Sequence, residues 1–165
     1  MSRAFIPSYD IGKKIYDRAE PPNGSSAQRL AEISLKKQNV IAVGYPRKNG
    51  NIFNSLIVLA PNGEQLTNYH KRLLPPGFEA SHFTLGTTPG MLELGGSKIA
   101  ALICYDAEFP EYVCQAALAG DDVDIVPTAL KAQRECVSDS ILSTRALVNG
   151  LYVLYAIHAG AEDNS

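Results

Sequence analysis

Apolar runs of strand length alternate with amphipathic helical segments along the whole chain. Ile99–Ile103 is a continuous apolar run and Val123–Val126 is a mainly apolar one, a pattern typical of strands that are buried on both faces. Such strands need helices as cover, so the pattern predicts an α/β fold with mixed sheets. Further strands are predicted at 40–45, 53–59, 65–70, 91–94 and 151–157, and helices at 25–37, 110–119 and 135–148.

Turn residues divide the first half of the chain into short elements. Lys-Asn-Gly-Asn at 48–51 and Pro-Asn-Gly-Glu at 61–64 predict tight turns, so the first three strands should form a meander. Ser25 and Gln28 have the spacing of a capping box at the start of the first long helix. The segment 73–89 has no periodicity and is predicted to be an irregular loop.

Composition and charge describe an ordinary globular chain. Its 165 residues are 45% hydrophobic and 19% charged, which fits one domain spanning 1–165. The net charge of −2 gives no electrostatic reason to expect nucleic acid as a partner. No apolar stretch approaches the roughly 20 residues of a membrane helix, and no secretory signal is evident, so neither a membrane nor export is expected. A cytoplasmic location is the resulting prediction.

The cysteines and glycines exclude several kinds of site. Cys104, Cys114 and Cys136 are an odd number without paired spacing, which argues against a disulfide framework and a zinc site. We interpret Cys114 and Cys136 as small buried hydrophobes. The glycines match neither a phosphate loop nor a dinucleotide fingerprint. The sequence therefore predicts no metal and no cofactor.

Cys104 lies between a buried strand and the start of an acidic helix. Pro110 is typical of a helix's first turn, and the apolar strand ends at Ile103, so Cys104 is predicted at the strand's carboxyl end. A helix N-terminus or a nearby lysine lowers the pKa of a cysteine thiol from about 8.5 toward neutrality. Lys71, which follows a predicted strand, is one such lysine. The alternative is that Cys104 is buried and inert.

Several segments together resemble the nitrilase superfamily of carbon–nitrogen hydrolases. They are Tyr69–Pro75, Gly77–Glu79, Ile103–Asp106 and Phe109–Glu111, and the resemblance extends over nearly the whole chain. It implies a four-layer α-β-β-α sandwich of the nitrilase type. It also implies hydrolysis of non-peptide C–N bonds in small amides, carbamoyl compounds or nitriles, without a cofactor, with the amidase and carbamoylase activities favoured.

The resemblance also implies roles for individual residues. Cys104 matches the family's nucleophile, which forms a thioester intermediate, and Lys71 matches its lysine. Lys71 and the backbone N–H of Tyr105 would stabilise the oxyanion, while Glu79 matches a second glutamate that orients the lysine. The family stretch that lines the substrate pocket matches Ala129 and Leu130.

By the same resemblance, the chain is predicted to be an incomplete domain, truncated at both ends. Ser8–Gly12 resembles the segment after the family's first glutamate, and counting back places Arg3 where that general base belongs. Ser143–Val153 resembles a helix and strand that the family follows with further strands. Two hypotheses result: a hydrolase acting on a small-molecule substrate, or an inactive interaction or dimerisation module. A homodimer or higher homo-oligomer is expected in either case.

Acidic residues near Cys104 allow two interpretations. Asp106, Glu108 and Glu111 could form a cluster for acid–base chemistry or metal binding, but acidic residues are favoured in a helix's first turn, so a structural role is preferred. Glu111 is a predicted partner of Arg145. His70, next to the lysine in sequence, is interpreted as a structural histidine.

Overall fold

The computed structural model describes residues 12–129 and 134–157 of the chain. These residues form two compact units, the first within 12–87 and the second within 88–129 and 134–157. Arg3 and Leu130, discussed above, lie outside the described residues. No helix among the described residues is long and apolar enough to cross a membrane.

The first unit is built on an antiparallel meander. Its strands lie in the order β1-β2-β3, as the turn signals predict, and the first hairpin reverses at Gly50, whose φ is +71°. The irregular segment contains a short helix that the sequence pattern does not predict. The elements are a 3₁₀ turn (Gly12–Lys14), α1 (Ile15–Arg18), α2 (Ser25–Lys37), β1 (Ile41–Asn49), β2 (Asn51–Leu59), β3 (Gln65–His70) and α3 (Phe78–His82).

The predicted capping box at the start of α2 is wrong. Ser25 is the first helical residue rather than the cap, and Gln28 donates through Nε2 to the Asn23 carbonyl oxygen at 2.9 Å. Instead, the Glu20 carboxylate accepts hydrogen bonds from the Ser26 N–H at 2.8 Å and the Ser26 hydroxyl at 2.6 Å. A carboxylate satisfies these donors and also complements the helix dipole, so the cap comes from outside the helix.

Helix α2 packs on the meander through an apolar face. Leu30 from the helix meets Tyr45, Ile57 and Leu59 of β1 and β2 in a buried cluster. Each of these four side chains contributes about 1.5–3 kcal/mol by leaving water, before the conformational entropy cost is subtracted. The cluster fixes the sheet whose third strand leads to Lys71.

The second unit contains a mixed sheet in the order β4-β5-β6-β7, with β4 antiparallel to β5 and the other pairs parallel. Parallel neighbours require crossover helices, which α4 and α5 supply. The predicted helix at 135–148 differs in its first part, where a π-helical stretch covers Val137–Leu142. The elements are β4 (Gly90–Leu94), β5 (Ser97–Ala101), a 3₁₀ turn (Cys104–Glu108), α4 (Pro110–Leu118), β6 (Val123–Thr128), α5 (Ser143–Asn149) and β7 (Tyr152–Ile157).

The core of this unit lies between the sheet and its helices. Buried side chains from the turn after β5, from α4, from β6 and from the π-helical stretch pack together, which confirms the α/β class predicted from the apolar strands. The cluster consists of Leu102, Ala107, Val113, Val126, Val137, Leu142 and Leu151.

A buried carboxyl interrupts the apolar pattern of β6. Asp124 is fully buried, and Asp121 lies just before the strand. Burial, followed by the charge of Asp121, raises the pKa of Asp124 to about 8. Burial also raises the pKa of Asp121. Asp124 therefore holds its proton at neutral pH and forms an acidic pair with Asp121.

This pair should make the stability of the chain depend on pH. Folded Asp124 keeps its proton up to about pH 8, whereas the unfolded group loses it near 3.8, so the free energy of unfolding should fall as pH rises between these values. We expect Asp124→Asn to remove this slope and to stabilise the chain by roughly 2–3 kcal/mol more at pH 7 than at pH 5. Urea unfolding at both pH values measures the difference, with Glu93→Gln on the exposed face of β4 as control. Equal pH slopes in parent and Asp124→Asn would contradict this assignment.

Candidate active site

Lys71 directly follows β3 and is held by its backbone on both sides. Its N–H donates to the Asn54 carbonyl oxygen at 2.8 Å, and its own carbonyl oxygen accepts the Gly86 N–H at 2.8 Å. At Gly86, a β-carbon would lie 2.1 Å from the His70 carbonyl oxygen, so only glycine permits this approach. These backbone contacts fix the point from which the lysine side chain enters the interior.

Glu79 binds the ammonium group of Lys71. Both carboxylate oxygens accept hydrogen bonds from Lys71 Nζ at 2.8 Å, and Asn54 Nδ2 donates to Oε2 at 3.4 Å. The side chains are 1% exposed for Lys71 and 0% for Glu79. Glu79 lies in α3, so its predicted place in an irregular loop is wrong, although its orientation toward the lysine agrees with the resemblance.

The burial of this pair needs an explanation other than stability. Taking two charges out of water costs several kcal/mol for each ion, and their attraction repays that cost only when the geometry is good. An apolar pair of similar volume often gives equal or better stability. Buried ionisable groups with a specific partner are therefore candidates for function.

His70 has both ring nitrogens occupied, in agreement with its interpretation as a structural residue. Its Nδ1 lies 2.7 Å from Ser55 Oγ and its Nε2 lies 3.1 Å from an Arg47 guanidinium nitrogen, while Phe53 stacks on the ring with 4.4 Å between centroids. The guanidinium can only donate, so Nε2 is assigned as the acceptor. Burial lowers the pKa of His70, and the Arg47 charge lowers it further.

Cys104 lies in the second unit, three residues beyond the end of β5. Its φ is +46°, a left-handed conformation that costs a non-glycine residue about 1–2 kcal/mol. Asp106 closes the turn that follows, since its buried carboxylate accepts the Ile103 N–H at 3.1 Å and its own N–H donates to the Ile103 carbonyl oxygen at 3.0 Å. Strain of this kind is concentrated at functional sites. The thiol is half-buried and forms no disulfide.

The turn after the thiol also sets the position of Tyr105. Tyr105 is the second residue of the 3₁₀ turn, and the first amides of a helical turn have no acceptor within it. An amide at this point is available to an anion. The Tyr105 ring packs edge-on against Phe109 at 4.9 Å between centroids, which stabilises the turn.

The carboxyl ends of β5 and β6 lie at the same edge of the sheet because these strands are parallel. Ala129 directly follows β6 and is half-buried at this edge, the edge that also carries Cys104. Ligands of open α/β sheets bind in this position. The structure thus brings Lys71 and Glu79 together in the first unit, and Cys104, Tyr105 and Ala129 to one edge of the second unit.

Sequence reasoning missed several polar side chains at that edge. Tyr155 lies on β7 and Thr128 at the end of the neighbouring strand β6, and Arg134 pairs with Glu108. Burial raises the pKa of Tyr155, and the charges of Cys104 and Glu108 act in the same direction. The feature of the sequence that could have revealed them is the position of Thr128 at the carboxyl end of its strand and of Tyr155 near the carboxyl end of the next.

The acidic residues after Cys104 have separate partners. Asp106 caps its own turn, which supports the structural interpretation, while Glu108 pairs with Arg134. Arg145 donates to the Glu108 carbonyl oxygen at 3.0 Å, and the predicted ion pair of Glu111 with Arg145 is wrong, since the ion pairs of residues 12–129 and 134–157 do not include it. Within the same residues, no group of three or more His, Cys, Asp or Glu side chains is placed to hold a metal ion.

Comparison with known proteins gives a consistent result. Residues 3–165 match the family model described as carbon–nitrogen hydrolase. A protein named "Hydrolase in pqqF 5'region" from Pseudomonas protegens is 37% identical over 96% of this chain and 57% of its own length.

Solved structures of an amidase from Nesterenkonia sp. share the fold. One, a complex with butyramide, has a TM-score of 0.79 at 31% identity and covers 84% of this chain and 54% of the amidase. Another shows the product of Michael addition of acrylamide at its active-site cysteine, with a TM-score of 0.80, 32% identity and coverage of 84% and 56%. The chain thus spans just over half the length of the relatives it matches. It belongs to the carbon–nitrogen hydrolase family, the nitrilase superfamily that its motifs indicate.

Proposed function

We propose that Cys104 is the nucleophile of a hydrolase of the amidase or carbamoylase type that cleaves non-peptide C–N bonds in small amides or carbamoyl compounds, in preference to nitriles. The observation that carries the proposal is the strained backbone of Cys104 at the carboxyl edge of the sheet, at the start of a 3₁₀ turn whose second residue is Tyr105. Family membership and the buried Lys71–Glu79 pair support it.

The proposed reaction has two covalent steps. The thiolate of Cys104 attacks the carbonyl carbon, the C–N bond breaks, and ammonia or an amine leaves with a proton, which gives a thioester. Water then attacks the thioester, which releases the carboxylic acid and restores the Cys104 thiol. The oxyanion of each tetrahedral intermediate is stabilised by the Lys71 ammonium and the Tyr105 N–H, one such donor being worth about 3 kcal/mol. Glu79 holds the Lys71 ammonium group in place, and Ala129 and Leu130 contact the substrate.

Proton transfer requires a general base, which the family supplies as a glutamate. The matching position in this sequence is Arg3, outside the described residues. Turnover needs such a base, and we assign no residue within 12–129 or 134–157 to this role. The proposal for the nucleophile can be tested separately from turnover, because alkylation needs only the thiolate.

The test combines ammonia release with labelling of individual cysteines. We expect release of ammonia from butyramide, and acrylamide should add to Cys104 faster than to Cys114, which is also half-buried. Residual ammonia release should fall in proportion to the fraction of Cys104 that carries the adduct, measured by peptide mass spectrometry. Full modification of Cys104 with unchanged ammonia release would rule out its role as nucleophile.

A second candidate function is an inactive interaction or dimerisation module. It is favoured by large apolar side chains that the described residues leave exposed: Leu118 on α4 is 90% exposed and Leu147 on α5 is 82% exposed. Exposed apolar patches mark contact surfaces. Equal, slow labelling of Cys104 and Cys114 without ammonia release, together with a dimer in sedimentation velocity, would favour this module over the hydrolase.

A further inference from the structure

The ion pair between Glu108 and Arg134 joins the turn after Cys104 to the segment after β6. Glu108 is the last residue of the 3₁₀ turn that begins at Cys104. Its side chain is 10% exposed, whereas that of Arg134 is 50% exposed. The carboxylate is thus mostly enclosed beside the thiol's own turn, and its counter-charge reaches it from the solvent side.

The charges of Glu108 and Arg134 act on a hydroxyl group that Cys104 also affects. The hydroxyl of Tyr155 on β7 has its pKa raised first by burial and then by the charges of Cys104 and Glu108, while Arg134 lowers it. Three groups from two segments, Cys104 and Glu108 of one turn and Arg134 of the segment after β6, therefore act electrostatically on one hydroxyl. They meet at the carboxyl edge of the parallel strands, where α/β sheets bind their ligands.

A purely structural role explains the pair less well. A half-exposed ion pair typically contributes about 0–1 kcal/mol to stability. The turn is also held independently, since Arg145 donates to the Glu108 carbonyl oxygen and Asp106 caps the Ile103 amide. The larger effect of losing one partner is a net change of one charge unit beside the thiol, at a partly enclosed place where screening is weak.

We propose that the Glu108–Arg134 pair keeps the surroundings of Cys104 electrically neutral and thereby selects amides whose acyl group carries no charge. The proposal rests on the role of Cys104 as nucleophile. Without Arg134, the Glu108 carboxylate favours substrates that carry an ammonium group. Without Glu108, the guanidinium favours substrates that carry a carboxylate. The pair is therefore a specificity determinant for the substrate class.

The test measures charge preference at Cys104 without requiring hydrolysis. Three methanethiosulfonates carry a trimethylammonium, a sulfonate or a hydroxyl group on the same ethyl chain. In each case the thiolate attacks the sulfenyl sulfur, a mixed disulfide forms and methanesulfinate leaves. Rates at Cys104 are read by peptide mass spectrometry in a Cys114→Ser, Cys136→Ser background, and the neutral reagent reports any general change in access to the thiol.

We expect Arg134→Gln to raise the ratio of the cationic to the anionic rate about tenfold, and Glu108→Gln to lower it about tenfold. The double variant should return to within about twofold of the parent ratio, which a merely structural role would not produce. Lys98→Gln and Glu93→Gln, cross-strand neighbours at the far end of β5 and β4, are matched charge controls and should leave the ratio unchanged.

Ratios that move by less than twofold in both single variants, or equally in the controls, would overturn the proposal. Amide turnover does not enter this measurement. A chain that hydrolyses no amide, but whose ratios shift as expected, contradicts the proposed function alone. Hydrolysis of butyramide with unmoved ratios contradicts the charge selection alone.

Discussion

Replacing Cys104 by alanine is expected to lower ammonia release from butyramide by at least about a thousandfold, because no other thiol is held at the strained turn after β5 among the described residues. The protein should remain folded. Alanine has the same β-carbon as cysteine, so at a φ of +46° it carries the same backbone cost, and the free energy of unfolding should change by less than about 1.5 kcal/mol. Ammonia assays and urea unfolding on the same sample measure both quantities.

A glycine at the same position separates strain from chemistry. Cys104→Gly should be at least as stable as Cys104→Ala, since glycine adopts positive φ without a steric penalty, and equally inactive. Cys114→Ala, on α4, is the matched control and should keep its ammonia release. Retained activity in Cys104→Ala would contradict the nucleophile assignment, and a glycine variant less stable than the alanine variant would show that the turn is not strained.

The strands could be predicted from the sequence because their signal is local. The bounds of β3 agree with the prediction at both ends, and the meander follows from turn residues that act within four positions. The apolar run at 99–103 predicts a strand buried on both faces. Such strands are typical of parallel sheets, and β5 pairs in parallel with β6. These elements needed no information from distant parts of the chain.

The errors arise where a distant or solvent-side group decides the structure. Glu20 caps α2 from five residues before the helix, so a motif within the helix could not reveal it. Helix α3 is only five residues long and follows Gly77, and prolines on either side hide it in an aperiodic segment. The charged pair of Glu108 with Arg134 spans 26 positions, a separation that no periodicity records.

The residue types of the candidate site could be predicted only through the resemblance. Nothing in periodicity distinguishes Lys71 from a solvated lysine after a strand, yet its side chain is buried. The spacing of eight positions to Glu79 acquires meaning only when the chain turns back through α3 and places both carboxylate oxygens on the ammonium group. Asp124 shows another limit, since the mainly apolar pattern at 123–126 predicts a buried strand but does not reveal that the carboxyl within it is fully buried.

Breaking the Lys71–Glu79 pair is expected to destabilise the chain strongly. Lys71→Met leaves a buried carboxylate and Glu79→Leu leaves a buried ammonium group, and each should lower the free energy of unfolding by about 3–5 kcal/mol. Among the described residues, Asn54 Nδ2 also donates to the carboxylate, but its hydrogen bond of 3.4 Å is too long to replace those of the ammonium group. Both variants should also lose ammonia release. Urea unfolding at pH 7 gives the stability change.

The double variant distinguishes stability from function. Lys71→Met with Glu79→Leu removes both charges at once, so no uncompensated ion remains, and its stability should return to within about 1 kcal/mol of the parent. Its ammonia release should stay lost, because a methionine cannot stabilise the oxyanion. Lys98→Met, at an exposed strand position, should change stability by less than about 0.5 kcal/mol. A double variant that regained ammonia release together with stability would show that the pair serves the fold alone. A double variant as unstable as the single variants would show that an uncompensated buried charge is not the cause of their lower free energy of unfolding.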